Sequence, residues 1–175
     1  TLQARNVIVA AEASAAAKLL GIADKPPEFR SSMCYYFATN KPPTRRAILM
    51  LNGDETNKPI NSVAILSNAQ PSYAPVGQAL ISVSCIGQFG SSDQTNLIEV
   101  VEQLVEWFGA DARQWTFLRS YSVPYSLPDQ SPSAVQLQDW IQGVRLAGDH
   151  LRTGSIEGAI ESGLSAASDV LERLS

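Results

Sequence analysis

The stretch ALISVSCIG, residues 79–87, decides how the middle of this chain folds. Leu80, Ser82, Ser84 and Ile86 alternate with Ile81, Val83 and Cys85. Side chains of a strand point alternately to its two faces, so this period of two creates one consistently apolar face that must cover something. Working toward the N-terminus, Val63–Leu66, Ala47–Leu51 and Met33–Thr39 are further short apolar runs, rich in Tyr, Ile, Val and Phe. The clusters SNAQPSYAPVG, NGDETNKP and TNKPPT separate them. Connections that short cannot hold crossover helices, so the strands are expected to pair antiparallel.

Toward the C-terminus the rhythm changes. Leu97, Val101, Leu104 and Phe108 fall at helical spacing, with Val100 and Trp107 widening the stripe, so residues 93–108 read as a helix lying on the sheet. Ser91, Ser92 and Asp93 are candidate caps, and Gly109 is the stop. Trp115–Tyr121 reads as another strand and SVPYSLPDQSPS as a Pro- and Ser-rich loop. Near the start, VIVAAEASAAAKLL, residues 7–20, reads as a short buried strand followed by an Ala-rich helix ending at Gly21. The paired prolines of ADKPPEF break both helix and strand, placing an element boundary near Pro26. The fold class is therefore α+β, a mostly antiparallel sheet of about five strands with packed helices.

Composition narrows the function. Of 175 residues, 45% are hydrophobic and 17% charged, which is a globular balance. The net charge of -4 is dispersed, so nothing electrostatic attracts nucleic acid or an anionic membrane. Cys34 and Cys85 sit far apart inside apolar runs and read as free thiols, not a disulfide. With His150 as the one histidine, a His/Cys metal site can hardly be assembled, and no metal is expected. No basic-then-apolar leader and no long apolar run appears, which makes the cytoplasm the expected compartment. The first residue is Thr and an apolar run follows almost at once, which reads as a boundary inside a larger protein.

The chemistry lies in VRLAGDHLRTGSIEGAIESGLSAASDVLERL, residues 144–174. A short strand ends in Gly148-Asp149, a tight loop follows, and a helix begins near Thr153–Ser155. On that helix Ile156, Ile160, Gly163, Ala167, Val170 and Leu174 are expected to form a core stripe. Ser155, Ala159, Ser162 and Ala166 form a stripe of small residues, with Gly158 beside it. Small residues let a flat group or another backbone approach closely. A helix N-terminus suits an electron-rich group, and an acid just before it can accept a hydrogen bond from a ligand hydroxyl. The same pattern also describes a C-terminal helix packed tightly on a sheet, with Asp149 as a loop residue or cap.

The segment LAGDHLRTGSIEGAIESGLSAA resembles the C-terminal flavin motif of the FAD-dependent amine oxidase and phytoene desaturase superfamily. Gly148-Asp149, Gly154-Ser155, Gly158-Ala159 and Ser162-Gly163 match that motif in order and spacing, eight positions within sixteen residues. ARNVIVAAEASAAAKLL and WTFLRSYSVPYSLP resemble, more loosely, the segments where the family's chain leaves for the substrate domain and returns. Ser126 stands where the family often has Ala.

The resemblance implies a site. Asp149 would hydrogen-bond a ribityl hydroxyl or nearby phosphate of FAD, and the N–H of Ile156 would face the flavin's pyrimidine oxygen. Gly158 and Ala159 would let the isoalloxazine edge come close, and Gly148, Gly154 and Ser155 would complete the cofactor-binding set. It also implies partial elements of a dinucleotide-binding domain, at residues 1–22 (returning strand and helix) and 141–175 (C-terminal strand and helix), around a substrate-domain portion at 23–140. No G-x-G-x-x-G occurs in these residues, although the family carries one near its N-terminus. The expectation is thus a C-terminal piece of a flavin-dependent oxidoreductase that alone binds FAD poorly and is inactive. Its partners would be the missing N-terminal flavin-binding region and an organic, lipophilic substrate such as a polyene, with peripheral membrane association in that case. A homodimer could cover the naked flavin side. Catalytic residues stay unassigned, and His150 reads as structural. The rival reading is a non-catalytic α+β module that holds an apolar ligand or a protein partner on its sheet.

Overall fold

The computed structural model describes residues 3–22, 28–53, 58–87, 93–131 and 137–174. The chain divides into two compact units, one made of residues 31–124 and the other of residues 1–30 with 125–175.

In the first unit the alternating segment is strand β5 (Ala79–Ile86), with Ile81, Val83 and Cys85 buried on one face. It lies inside a five-stranded sheet ordered β3 (Leu49–Leu51), β4 (Ile60–Ile65), β5, β2 (Phe29–Thr39), β6 (Thr116–Pro128). β5 runs antiparallel to both neighbours, with Val83 opposite Val63 on one side and Tyr35 on the other. The antiparallel expectation holds because the loops are too short for any other return. Helix α3 (Asp93–Phe108) closes the buried face with Val100 and Leu104, and it stops at Gly109, whose φ of 85° favours glycine. The cap residues Ser91 and Ser92 lie outside the described residues.

Two details of this unit escaped the hydropathy pattern. The register of β4 shifts between Ile60 and Ser62, and there the Ile60 N–H donates to the buried carboxamide oxygen of Gln103 at 2.8 Å. A helix glutamine thus satisfies the backbone group that an irregular ladder leaves over. The Pro-rich stretch read as a loop is instead the continuation of β6 to Pro128. β6 is an edge strand, where a residue without an N–H costs no ladder bond, so Pro124 and Pro128 do not break it. Both cysteines are free, and burial pushes the Cys85 thiol up to about 12.

In the second unit β1 (Ile8–Val9) pairs in parallel with β8 (Val144–Leu146), which pairs antiparallel with β7 (Trp140–Ile141). Gln142 and Gly143, at φ of 51° and 80°, make the two-residue turn between β7 and β8. Helix α1 (Ala13–Leu19) buries Ala13, Ala16 and Ala17, and Gly21 ends it at φ 67°. The boundary expected at Pro26 lies outside the described residues.

Helix α4 (Ile156–Glu172) corrects one expectation. Its buried face is Gly158, Ser162 and Ala166, whereas Ile156 is 84% and Ile160 53% exposed, with Leu174 also exposed. Gly163 and Ala167 are exposed as well, and only Val170 of the expected core stripe is half-buried. The helix packs so close to the preceding turn that size, not hydropathy, selects the face turned inward.

Candidate functional site

β1 and β8 are parallel and end side by side, so Ala11-Glu12 and Gly148-Asp149 follow their carboxyl ends. In parallel α/β arrangements that edge is where ligands are held. The Ala147 N–H donates to the Val9 carbonyl at 3.0 Å, and the Gly148 N–H donates to Ser162 Oγ at 3.0 Å. Ser162, fully buried, ties the strand end to the second turn of α4. A Cβ on Gly148 would stand 2.4 Å from Cε1 and 2.5 Å from Nδ1 of His150, so the imidazole occupies the space that glycine leaves. Asp149 opens a single 3-10 turn through Leu151, and its partly exposed carboxylate lies 4.0 Å from His150 Nδ1.

The loop into α4 is tightly bonded. Arg152 reaches both oxygens of Asp139, at 3.3 and 3.2 Å. The Gly154 N–H donates to Gln130 Oε1 at 2.9 Å, and the Ser155 N–H to the Thr153 carbonyl at 2.7 Å. Ser155 is the N-cap, its Oγ accepting from the Gly158 N–H at 3.0 Å and its carbonyl from the Ala159 N–H at 3.0 Å. The amides of Ile156 and Glu157 have no partner among the described residues. With Ser155, Ile156 and Ala159 exposed, the start of α4 is open. Gly158 alone fits its place, since a Cβ there would meet the Thr153 carbonyl oxygen at 1.9 Å.

The structure therefore brings Gly148 and Asp149 onto the turn against α4 and sets Gly154, Ser155, Ile156, Gly158 and Ala159 along one loop and first helical turn. Sequence reasoning missed what stands behind them. Arg145 on β8 is fully buried, its Nε donating to Asp169 at 2.7 Å and its Nη2 lying 2.9 Å from Asp139. It also donates to Ser165 Oγ and to the carbonyls of Asp139 and Leu146. An arginine inside a short apolar strand was the available signal, since such a charge needs partners on neighbouring elements. Asp139 is held below the ordinary carboxylate range, first by its hydrogen bonds from Arg152 and then by the charge of Arg145.

These residues fit a flavin dinucleotide. The open helix start presents N–H groups to an electron-rich ring edge or anion, Asp149 can accept from a hydroxyl, and the absence of a Cβ at Gly158 lets the Thr153 backbone lie against the helix. His150 adds two buried ring nitrogens without a hydrogen-bond partner. Among the described residues no group of three or more His, Cys, Asp or Glu could hold a metal ion.

Solved structures share the fold. In fold the chain is similar to an oxidoreductase from Methanosarcina mazei, at 18% identity and a TM-score of 0.67, covering 95% of this chain and 43% of that one. It is similar to a protein of Pyrococcus furiosus at 14% identity and a TM-score of 0.62, covering 93% and 40%. A reduced UDP-galactopyranose mutase matches at 12% identity and a TM-score of 0.57, covering 73% and 30%. The chain thus spans less than half the length of each of these structures. No curated protein matches it significantly. Residues 1–171 match the family described as flavin containing amine oxidoreductase. The chain belongs to the flavin containing amine oxidoreductase family.

Proposed function

We propose that this chain is the C-terminal portion of an FAD-dependent oxidoreductase that removes a hydride from an organic, lipophilic substrate. The carrying observation is the open start of α4, with the Ile156 and Glu157 amides without a partner among the described residues, set after the Gly148–Asp149 turn. The family supports the flavin. When bound, the isoalloxazine ring supplies the hydride acceptor, and the protein's part is binding, orientation and electrostatics. Ile156 N–H would meet the pyrimidine oxygen, Ala159 would seat the ring edge while Gly158 lets the Thr153 backbone pass close behind it, and Asp149 would accept from a ribityl hydroxyl. The dinucleotide fingerprint would come from outside these 175 residues, and the shorter chain would be inactive alone. The exposed stripe of Ile156, Ile160, Leu164 and Leu171 is the surface that this further region, or a second copy, would cover.

The lipophilic substrate is favoured by a hollow of about 600 Å³ in the unit of residues 31–124. Tyr36, Leu80, Leu118, Arg119, Tyr121 and Val123 line it, with Tyr36 and Tyr121 edge to face at 5.8 Å. Its volume suits one organic molecule, and its wall is largely apolar and aromatic. The rival reading, a non-catalytic module, expects a closed core around residues 144–175. Of the small-residue stripe Ser155 and Ala159 are exposed while Ser162 and Ala166 are buried, and the open helix start favours the enzyme. The test is anaerobic reduction of the flavin in the intact gene product. Bleaching by a polyene and not by small polar amines supports the reading, whereas bleaching by the amines alone contradicts the substrate class.

A further inference from the structure

The apolar hollow in the unit of residues 31–124 contains a single charged group. Arg119, Tyr121 and Val123 are alternate residues of β6 and so turn to one side of that strand. Tyr36 and Leu80 join them from β2 and β5, on the sheet face opposite the buried Phe37 and Ile81. Every lining residue other than Arg119 is aliphatic or a tyrosine. The Arg119 guanidinium lies 5.6 Å from the centre of the Tyr121 ring. Among the described residues it makes no ion pair.

A pure hydrocarbon filling this hollow would strip water from the guanidinium and return nothing, which costs binding free energy. A ligand that ends in a carboxylate instead offers two acceptor oxygens to the planar fork, the geometry that a guanidinium matches best. One guanidinium balances one negative charge. A carboxylate is therefore fully matched here, whereas a phosphate dianion keeps an excess charge against an apolar wall.

We propose that Arg119 is a specificity-determining residue of this hollow, pairing with the carboxylate end of an amphiphilic ligand whose apolar body lies against Tyr36, Leu80, Tyr121 and Val123. The assignment rests on the lipophilic-substrate reading above and narrows it to apolar carboxylic acids. Arg119 holds the molecule by one end and moves neither hydride nor proton.

The experiment titrates the intact gene product with cis-parinaric acid, a conjugated polyene fatty acid that fluoresces on entering an apolar site, and with its methyl ester. Wild type, Arg119→Met, Arg119→Lys and Leu80→Trp are compared at low and high salt. Met keeps much of the apolar stem without the charge, Lys keeps the charge without the fork, and Trp fills the hollow. Wild type should bind the acid about fivefold more tightly than the ester, the size of an ion pair partly open to water. High salt should shrink that preference. Arg119→Met should bind acid and ester equally, Arg119→Lys should keep part of the preference, and Leu80→Trp should lose both probes. Equal binding of acid and ester by wild type, or a preference that survives in Arg119→Met, would sink this assignment and leave the lipophilic hollow standing. Leu80→Trp binding both probes as wild type does would overturn it by putting the site elsewhere. A wild type that takes up neither probe would overturn the lipophilic-substrate reading itself.

Discussion

A Cβ placed on Gly158 would stand 1.9 Å from the carbonyl oxygen of Thr153 and 2.9 Å from its carbonyl carbon. The loop crosses α4 at backbone distance, and the obstacle is main chain that cannot rotate away. Gly158→Ala should therefore destabilise the protein by about 3 kcal/mol, at the upper end for overpacking. Gly163 lies one and a half turns further on with nothing within 4 Å of its own Cβ position. Gly163→Ala should be neutral or stabilise by up to about 1 kcal/mol through helix propensity. Urea unfolding of the two variants separates a glycine required by contact from one that is not.

Ser162 joins the strand end to the helix through one bond, from the Gly148 N–H to its Oγ at 3.0 Å. Ser162→Ala leaves that donor without a partner in a part-buried place, at a cost of about 1 kcal/mol. Because Asp149 follows directly, the same variant should loosen the turn and weaken FAD binding in the intact protein. Ser162→Ala with unchanged stability and unchanged FAD affinity would refute the coupling.

Arg145 organises the unit of residues 1–30 and 125–175 by bonding β8 to Asp139 and to Ser165 and Asp169 on α4. Trp140 lies under both Arg145 and Arg173, with ring-to-guanidinium distances of 5.9 and 3.5 Å. Arg145→Met should cost about 2–3 kcal/mol. The value stays below that for a stranded buried charge because Asp139 and Asp169 are each 38% exposed and can be hydrated. Arg145→Lys should recover little, since one ammonium cannot reach all these acceptors. Chemical denaturation reads both.

His150 and Asp139 contribute to the acid side of the stability profile in separate windows, and Asp129, its pKa lowered by the hydrogen bond from the Ser131 backbone, adds to the lower one. His150 has a folded pKa below its ordinary 6.5, so the unfolded chain binds the proton first. Its contribution is intact above about 6.5 and is lost as pH falls from there toward the folded value. Asp139 has a folded pKa below its ordinary 3.8, so stability from its pairing with Arg152 and Arg145 persists down to that pH and is lost beneath it. Melting temperature against pH should fall in two steps. His150→Phe should remove the upper step and leave the lower, and Asp139→Asn should shrink the lower step and leave the upper.

The sheet and the first helices were legible because one local rule governed each. The period of two in Ala79–Ile86 fixed which side chains face the core, and Gly109 and Gly21 stand where helices need a positive φ. The face of α4 was not legible, because Ile156, Ile160 and Leu174 look like a core stripe while the contact admits only Gly158, Ser162 and Ala166. Pro124 read as a break because its tolerance depends on β6 lying at an edge, which is a property of strand order. The eight motif positions were singled out by their resemblance to a family motif, not by spacing alone. The buried Arg145 behind them was not, since its partners Asp139 and Asp169 come from other elements.

The most direct measurement is the cofactor content of the intact gene product, purified and then denatured to release what it holds. The account predicts about one FAD per chain, with affinity for FAD falling on Asp149→Ala and on Ala159→Leu. A folded protein that carries no flavin and takes none up when FAD is added would contradict it.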